Sequence, residues 1–143
     1  MTEEMSISQL EDTFIEDINN LGDWFLQYEY LIEISVDIPH IELQERTHER
    51  KVPGCQSGVW IILKYVDKKV RIRADSEALI IRGFLAMYVL LLDNRTPEEI
   101  LSFHPRFIEE TNIKSQISTD RFHGLQSVFS TIQDFAAKCI ETE

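Results

Sequence analysis

The sequence predicts one α+β domain over residues 1–143, with a small antiparallel sheet of about three strands packed against helices. Three observations carry this expectation. The chain has 143 residues, 43% of them hydrophobic, and a chain of that length can bury about two-thirds of its unfolded surface without disulfides or metal. Apolar residues recur at helical spacing toward both ends. A β-branched apolar stretch near the middle is followed at once by an alternating one.

In chain order, Ile7, Leu10, Phe14, Ile15, Ile18 and Leu21 share one face of a first helix, which Asn19, Asn20 and Gly22 end. Asp23 suits the N-cap of a second helix, antiparallel to the first, whose inner face is expected to hold Trp24, Phe25, Tyr28, Leu31 and Ile32. From Pro39 to Gly58 the periodicity disappears, which predicts a long surface loop with a short strand near Lys51–Val52. Ordered loops of this length are more often functional than not.

Val59 to Val66 is apolar or aromatic apart from Lys64 and predicts a strand covered on both faces. Asp67-Lys68-Lys69 turns the chain. Val70, Ile72 and Ala74 then alternate with Arg71 and Arg73, so the return strand is expected to be half exposed. Asp75 or Ser76 is the expected cap of a third helix, apolar almost all round from Ala78 to Leu92 and therefore central. Gly83 within it predicts a close backbone approach. Thr96-Pro97-Glu98-Glu99 is a capping box that opens a short helix. Ser118 or Thr119 starts the last helix, with Phe122, Leu125, Val128, Phe129, Ile132, Phe135 and Ala136 on its inner face.

Acidic residues number 25 and basic residues 14, for a net charge of −11. Such a surface repels phosphate backbones and anionic lipid, which argues against nucleic acid or a membrane as partner. The longest apolar run, Phe84 to Leu92, is shorter than the roughly 20 residues needed to span a bilayer. The first 23 residues carry seven acidic residues and no Lys or Arg, unlike a signal or transit peptide. With only two cysteines, a disulfide framework is not expected, and a cytoplasmic protein with reduced thiols is.

Cys55 lies in Val52-Pro53-Gly54-Cys55-Gln56-Ser57-Gly58, among glycine and polar neighbours rather than aliphatic ones. Glycines permit backbone shapes that aim several N–H groups at one atom, which would lower the pKa of a thiol and make it a better nucleophile. Between Arg46 and Arg82 stand nine basic residues against four acidic ones, a local +5. That surrounding would favour thiolate and could dock an acidic partner. Cys139, at helical spacing from Ile132 and Phe135, reads as a core residue. No H-x-x-x-H, P-loop or G-x-S-x-G motif is present. His48 and His123 are the histidines to consider for a Cys–His dyad with Cys55.

Four blocks resemble SufE-type sulfur-acceptor proteins of iron–sulfur cluster assembly. VPGCQSGVW at residues 52–60 resembles the family's G-C-Q-S-x-V-W, and ADSEALIIRG at 74–83 its A-D-S-D-A-x-I-V-x-G. TPEEI at 96–100 resembles T-P-x-E-I, and ISTDRFHGL at 117–125 resembles L-S-x-x-R-x-x-G-L. The resemblance implies an α+β fold shared with U-type scaffolds. It implies a carrier, not a self-sufficient enzyme, that takes persulfide sulfur from a SufS-type, PLP-dependent cysteine desulfurase. That carrier stimulates the desulfurase and passes sulfur to an iron–sulfur scaffold complex, with no cofactor or metal of its own. Cys55 matches the acceptor cysteine. Gly54, Gln56 and Ser57 belong to the cysteine block, Asp75 and Arg121 match positions the family also keeps, and His123 is a further candidate for the cysteine loop or partner surface. Gly58 stands where Gln or Arg is frequent, and His123 where Asn or Gln is. The alternatives are an iron–sulfur or metal scaffold, which needs several thiolates, and a Cys–His hydrolase, which needs a base and an oxyanion hole.

Overall fold

A computed structural model describes residues 5–55 and 58–142. Two helices open the chain, α1 (Ile7–Leu21) and α2 (Trp24–Ser35). A long loop with two 3₁₀ turns, Leu43–Glu45 and His48–Arg50, leads to strands β1 (Val59–Val66) and β2 (Lys69–Ser76). Helices α3 (Leu79–Leu92), α4 (Pro97–Ser102), α5 (Ile113–Gln116) and α6 (Thr119–Glu141) complete the order. The fold class is α+β, with one turn of helix, α5, beyond the three helices expected after the sheet.

The caps follow the sequence closely. Ser6 and Gln9 form a reciprocal capping box on α1, and Asp23 accepts from the Phe25 N–H on α2. Thr96 and Glu99 form the box on α4 with Pro97 at its first position, and Ser118 caps α6 through the Arg121 N–H. Each satisfies N–H groups that a helix start would otherwise leave unpaired.

Strands β1 and β2 pair antiparallel from Val59↔Ser76 to Val66↔Lys69. Asp67 and Lys68 turn the hairpin with φ of 52° and 64°, the positive values that match the twist of a two-residue turn. Among the described residues the sheet has two strands rather than about three. The strand expected near Lys51–Val52 is a single bridge, Lys51↔Trp60, beside a hydrogen bond from Val52 N to Val59 O at 2.8 Å. Pro53 and Gly54, the latter at φ 84°, turn the chain away from β1 directly after this pair.

Helix α3 lies at the centre. Phe84, Leu85, Ala86, Met87, Leu91 and Leu92 are fully buried, in one hydrophobic cluster with residues from Ile7 to Ala136. It packs on the inner sheet face, Val59, Ile61, Val70, Ile72 and Ala74, and against α2. Cover on both faces of β1 holds only for Val59–Ile62; Lys64 and Val66 are exposed.

Two local expectations are corrected. Asp75 and Ser76 are the last residues of β2, not the cap of α3. The cap position is Ala78, whose N–H reaches Ser76 Oγ at 3.2 Å. The inner face of α2 is Gln27, Leu31 and Ser35, while Phe25 is 67% exposed and Tyr28 is exposed. The helix is rotated because Gln27 donates to Ile18 O at 2.9 Å and Leu31 meets Gly83 of α3.

At Gly83 an added Cβ would lie 2.8 Å from Leu31 O and 2.9 Å from Leu31 Cβ, so α2 and α3 pack at a spacing only glycine allows. Gly83→Ala is therefore expected to cost about 1–3 kcal/mol, the usual penalty for overpacking, despite alanine's higher helix propensity. Urea denaturation checks this; an unchanged or raised midpoint would contradict the close approach.

Candidate functional site

Cys55 ends the long loop and is half-buried against α6. Its Sγ donates to the Gly124 carbonyl at 3.5 Å. Two glycines let it sit there. Gly54 holds φ +84°, a left-handed conformation that side chains disfavour. Gly124 faces the sulfur so closely that a Cβ there would lie 3.2 Å from Sγ. Beneath the thiol is a cavity of about 20 Å³, bounded by Val59 of β1, Ile81 of α3 and Leu125 and Val128 of α6. Asp120 and Arg121 line it as well. A space of that size admits one water-sized atom.

Burial pushes the Cys55 thiol pKa up from its ordinary value. The expected lowering is not found in this conformation, for two reasons. Sγ faces a carbonyl, which accepts from S–H and disfavours thiolate. Most arginines of the basic segment between Arg46 and Arg82 are also already committed to acidic partners. Arg82 and Arg46 pair with Asp75, Arg73 with Glu45 and Arg71 with Asp93. The Arg73 guanidinium in turn lowers the Glu45 carboxyl to about 2.

Asp75 is 1% exposed and sits under the start of the cysteine loop. It accepts from Ile41 N, Ser76 N and Arg82 Nε at 2.9, 2.9 and 2.8 Å, and from Arg46 Nη2 at 3.3 Å. His40 Nδ1 stands 3.5 Å away. Burial alone would raise its pKa, but the Ile41 and Ser76 N–H groups and the Arg82 guanidinium more than offset it, so the carboxyl titrates below the usual range. Arg82 also donates to the carbonyls of Ser35 and Ile38, which fastens the end of α2. Arg46 stacks over the Trp60 ring, 5.0 Å from its centroid. The same ring fills the space above Gly58, where any Cβ would run into it.

Arg121 is exposed at the cavity. His123, one position before Gly124, is exposed and does not line the cavity, and its ring is 6.3 Å from that of Phe122. His48 is exposed on its 3₁₀ turn. Among the described residues no histidine lines the cavity, so neither supplies a base to Cys55 in this conformation. Gln56 and Ser57 lie outside the described residues. Cys139 is 5% exposed on α6, a core position as expected. No group of three or more His, Cys, Asp or Glu among the described residues is placed to hold a metal ion. No described helix is long and apolar enough to cross a membrane.

Sequence reasoning passed over Gly124, Arg46 and Arg82 as site residues. Gly124 carried a signal, since a glycine inside a helix costs about 1 kcal/mol against alanine and so points to a packing demand. Arg82 carried a similar one, being a lone charge inside an otherwise apolar helix.

The architecture is similar to the solution structure of a hypothetical protein from Thermus thermophilus. The two share a TM-score of 0.76 at 19% sequence identity, covering 92% of this chain and 96% of that one. At this identity the likeness defines the fold. The sequence itself, over residues 12–136, matches the SufE family, described as an Fe-S metabolism associated domain. The chain belongs to that family.

The geometry makes Gly124 the gate for the thiol. Gly124→Ala is expected to raise the alkylation rate of Cys55 by iodoacetamide at neutral pH, because the new methyl displaces Sγ toward solvent. Wild-type Cys55 should alkylate more slowly than a free thiol at neutral pH and gain rate only above the ordinary thiol pKa. A variant no more reactive than wild type, or a wild-type rate matching a free thiol, would contradict the sheltered geometry.

Proposed function

We propose that this protein is a sulfur acceptor: it takes persulfide sulfur from a cysteine desulfurase onto Cys55, stimulates that enzyme and relays the sulfur to iron–sulfur cluster assembly. The observation that carries the reading is the placement of Cys55, the cysteine of the G-C-Q-S block, over a cavity with room for one more atom.

The chemistry is a sulfur exchange. The Cys55 thiolate attacks the outer sulfur of the partner's persulfide. A new S–S bond forms on Cys55 as the partner's S–S bond breaks, and the partner's cysteine leaves as thiolate. No external oxidant or reductant is required. Carbon–sulfur cleavage belongs to the partner and its PLP, so this chain acts as carrier and activator rather than as an enzyme in its own right.

The resting geometry suits a carrier. A protonated, tucked thiol resists oxidation and stray exchange. The reactive thiolate forms when the loop extends from α6 and leaves the burial that raises its pKa. After loading, the apolar walls of Val59, Leu125 and Val128 give the outer sulfur a place away from solvent reductants. Asp75 holds the base of the loop, Gly54 and Gly124 allow the thiol to seat, and Arg121 stands where a partner entering the cavity mouth would meet it. His123, exposed one position before Gly124, and Gln56 and Ser57, the two residues that follow Cys55 in the sequence, are the partner contacts we infer. In this reading the protein works in the cytoplasm, as a single unit over residues 1–143.

The test is stimulation of a purified cysteine desulfurase, followed by sulfide or alanine release. Cys55→Ser is expected to abolish stimulation with the thermal midpoint nearly unchanged, and Cys139→Ser to keep it. Full stimulation by Cys55→Ser would overturn the proposal, and retention of a metal by the purified protein would favour a scaffold instead.

A further inference from the structure

The cavity under Cys55 is small and its walls are fixed. Its volume is about 20 Å³, room for one water-sized atom. Val59, Ile81, Leu125 and Val128 bound it from β1, α3 and α6. All four are buried and belong to the hydrophobic core cluster. An interior packed this way does not swell to admit an extra atom without strain. On the α6 side there is no slack either, since even a Cβ at Gly124 would lie 3.2 Å from Sγ. Asp120 and Arg121 complete the lining and, both being exposed, mark the way out to solvent.

A sulfur added to Cys55 lies about 2.0 Å from Sγ, and a second one the same distance further, around a dihedral of about 90°. The first fits the cavity. The second does not. With Sγ against the Gly124 carbonyl and the apolar walls closed, it has to project past Asp120 and Arg121 into water. Val128 is the wall that can be varied alone. It follows Gly124 by one turn on the same face of α6, and alanine there keeps the helix.

We propose that this cavity limits the cargo to a single sulfur and that Val128 sets the limit. The proposal rests on the carrier reading above and adds how much sulfur is carried. A loaded Cys55 persulfide can itself attack the outer sulfur of a second donor persulfide. Its terminal sulfur bonds to that sulfur, the donor's S–S bond breaks and the donor cysteine leaves as thiolate. The same exchange run backward returns the sulfur to the donor. Nothing is oxidised or reduced overall, so the balance is set by which product the protein shelters. One added sulfur is sheltered. A chain of two stays at the surface, where the donor thiolate takes the outer sulfur back.

The test incubates the protein with a purified cysteine desulfurase and excess cysteine and weighs the sulfur on the peptide that contains Cys55. The loaded protein is then separated and exposed to a thiol reductant. Wild type is expected to stop at one added sulfur mass. Val128→Ala, which enlarges the cavity, should add a species with two. Val128→Ile, which fills it, should stop at one and lose that sulfur to the reductant roughly threefold faster or more, because access governs the exchange. Ile132→Val, a trimmed core residue one turn further along α6 and outside the cavity, should behave as wild type. The opposite responses at Val128 separate a cargo limit from a folding defect, which would push both variants the same way. Wild type loaded with two sulfurs as readily as one would overturn the limit and leave the carrier reading standing. So would Val128 variants that match Ile132→Val, or that both shed sulfur faster with no two-sulfur species. Wild type that takes no sulfur from the desulfurase would bring down the carrier reading and this proposal together.

Discussion

The carboxylate of Asp75 is the point at which the cysteine loop, β2, α3 and the end of α2 are tied together. Removing a carboxylate from water costs several kcal/mol, and it is tolerated here because two backbone N–H groups and two guanidinium groups surround it. The arrangement is mutual. Arg82, 5% exposed, would be an uncompensated buried cation without Asp75, a loss of about 3–5 kcal/mol in comparable pairs. Through Arg82 the carboxylate also holds Ser35 and Ile38, so the place where the loop leaves α2 and the place where β2 ends are fixed by one cluster.

That cluster anchors one end of the loop. Ile41 and Arg46 are bound to Asp75, and Arg73 donates to the carbonyl of His40. At the other end Val52 pairs with Val59, and the Gly58 carbonyl accepts from Ser76 Oγ at 2.8 Å. Between these anchors, the contacts of Gly54 and Cys55 with α6 are a weak S–H hydrogen bond and glycine-close packing. In the proposed carrier, these anchors on either side of Cys55 would let the sulfur leave its shelter without disturbing the core. For such a carrier the tucked geometry would serve stability at rest, since burial and the Gly124 carbonyl act on the thiol only while it is tucked.

Much of this was legible in the sequence, and the reasons differ from element to element. The capping box Thr96-Pro97-Glu98-Glu99 and the hairpin at Asp67-Lys68 are local signals, and local backbone chemistry realises them directly. Cys55 stood out because its neighbours are unsuited to a core. Asp75 reads as a helix cap in the sequence, since an Asp-Ser pair before an apolar run looks the same whether its partners are the next N–H groups or a distant arginine. The face of α2 was misassigned because Gln27 is inside and Phe25 outside, a choice made by Ile18 and Gly83 and absent from the periodicity of α2 itself. The basic segment was read as a field on the thiol. In the fold most of its arginines pair with Asp75, Glu45 and Asp93, and Lys64, Lys68 and Lys69 lie along the hairpin.

Sulfur bonded to Cys55 is the central claim of the carrier role. Its most direct measurement is mass spectrometry of the intact protein and its peptides after incubation with a cysteine desulfurase and cysteine. The account predicts one added sulfur mass, on the peptide that contains Cys55, reversed by a thiol reductant. An unmodified Cys55 peptide under conditions in which the desulfurase turns over, or sulfur found on Cys139 instead, would contradict it.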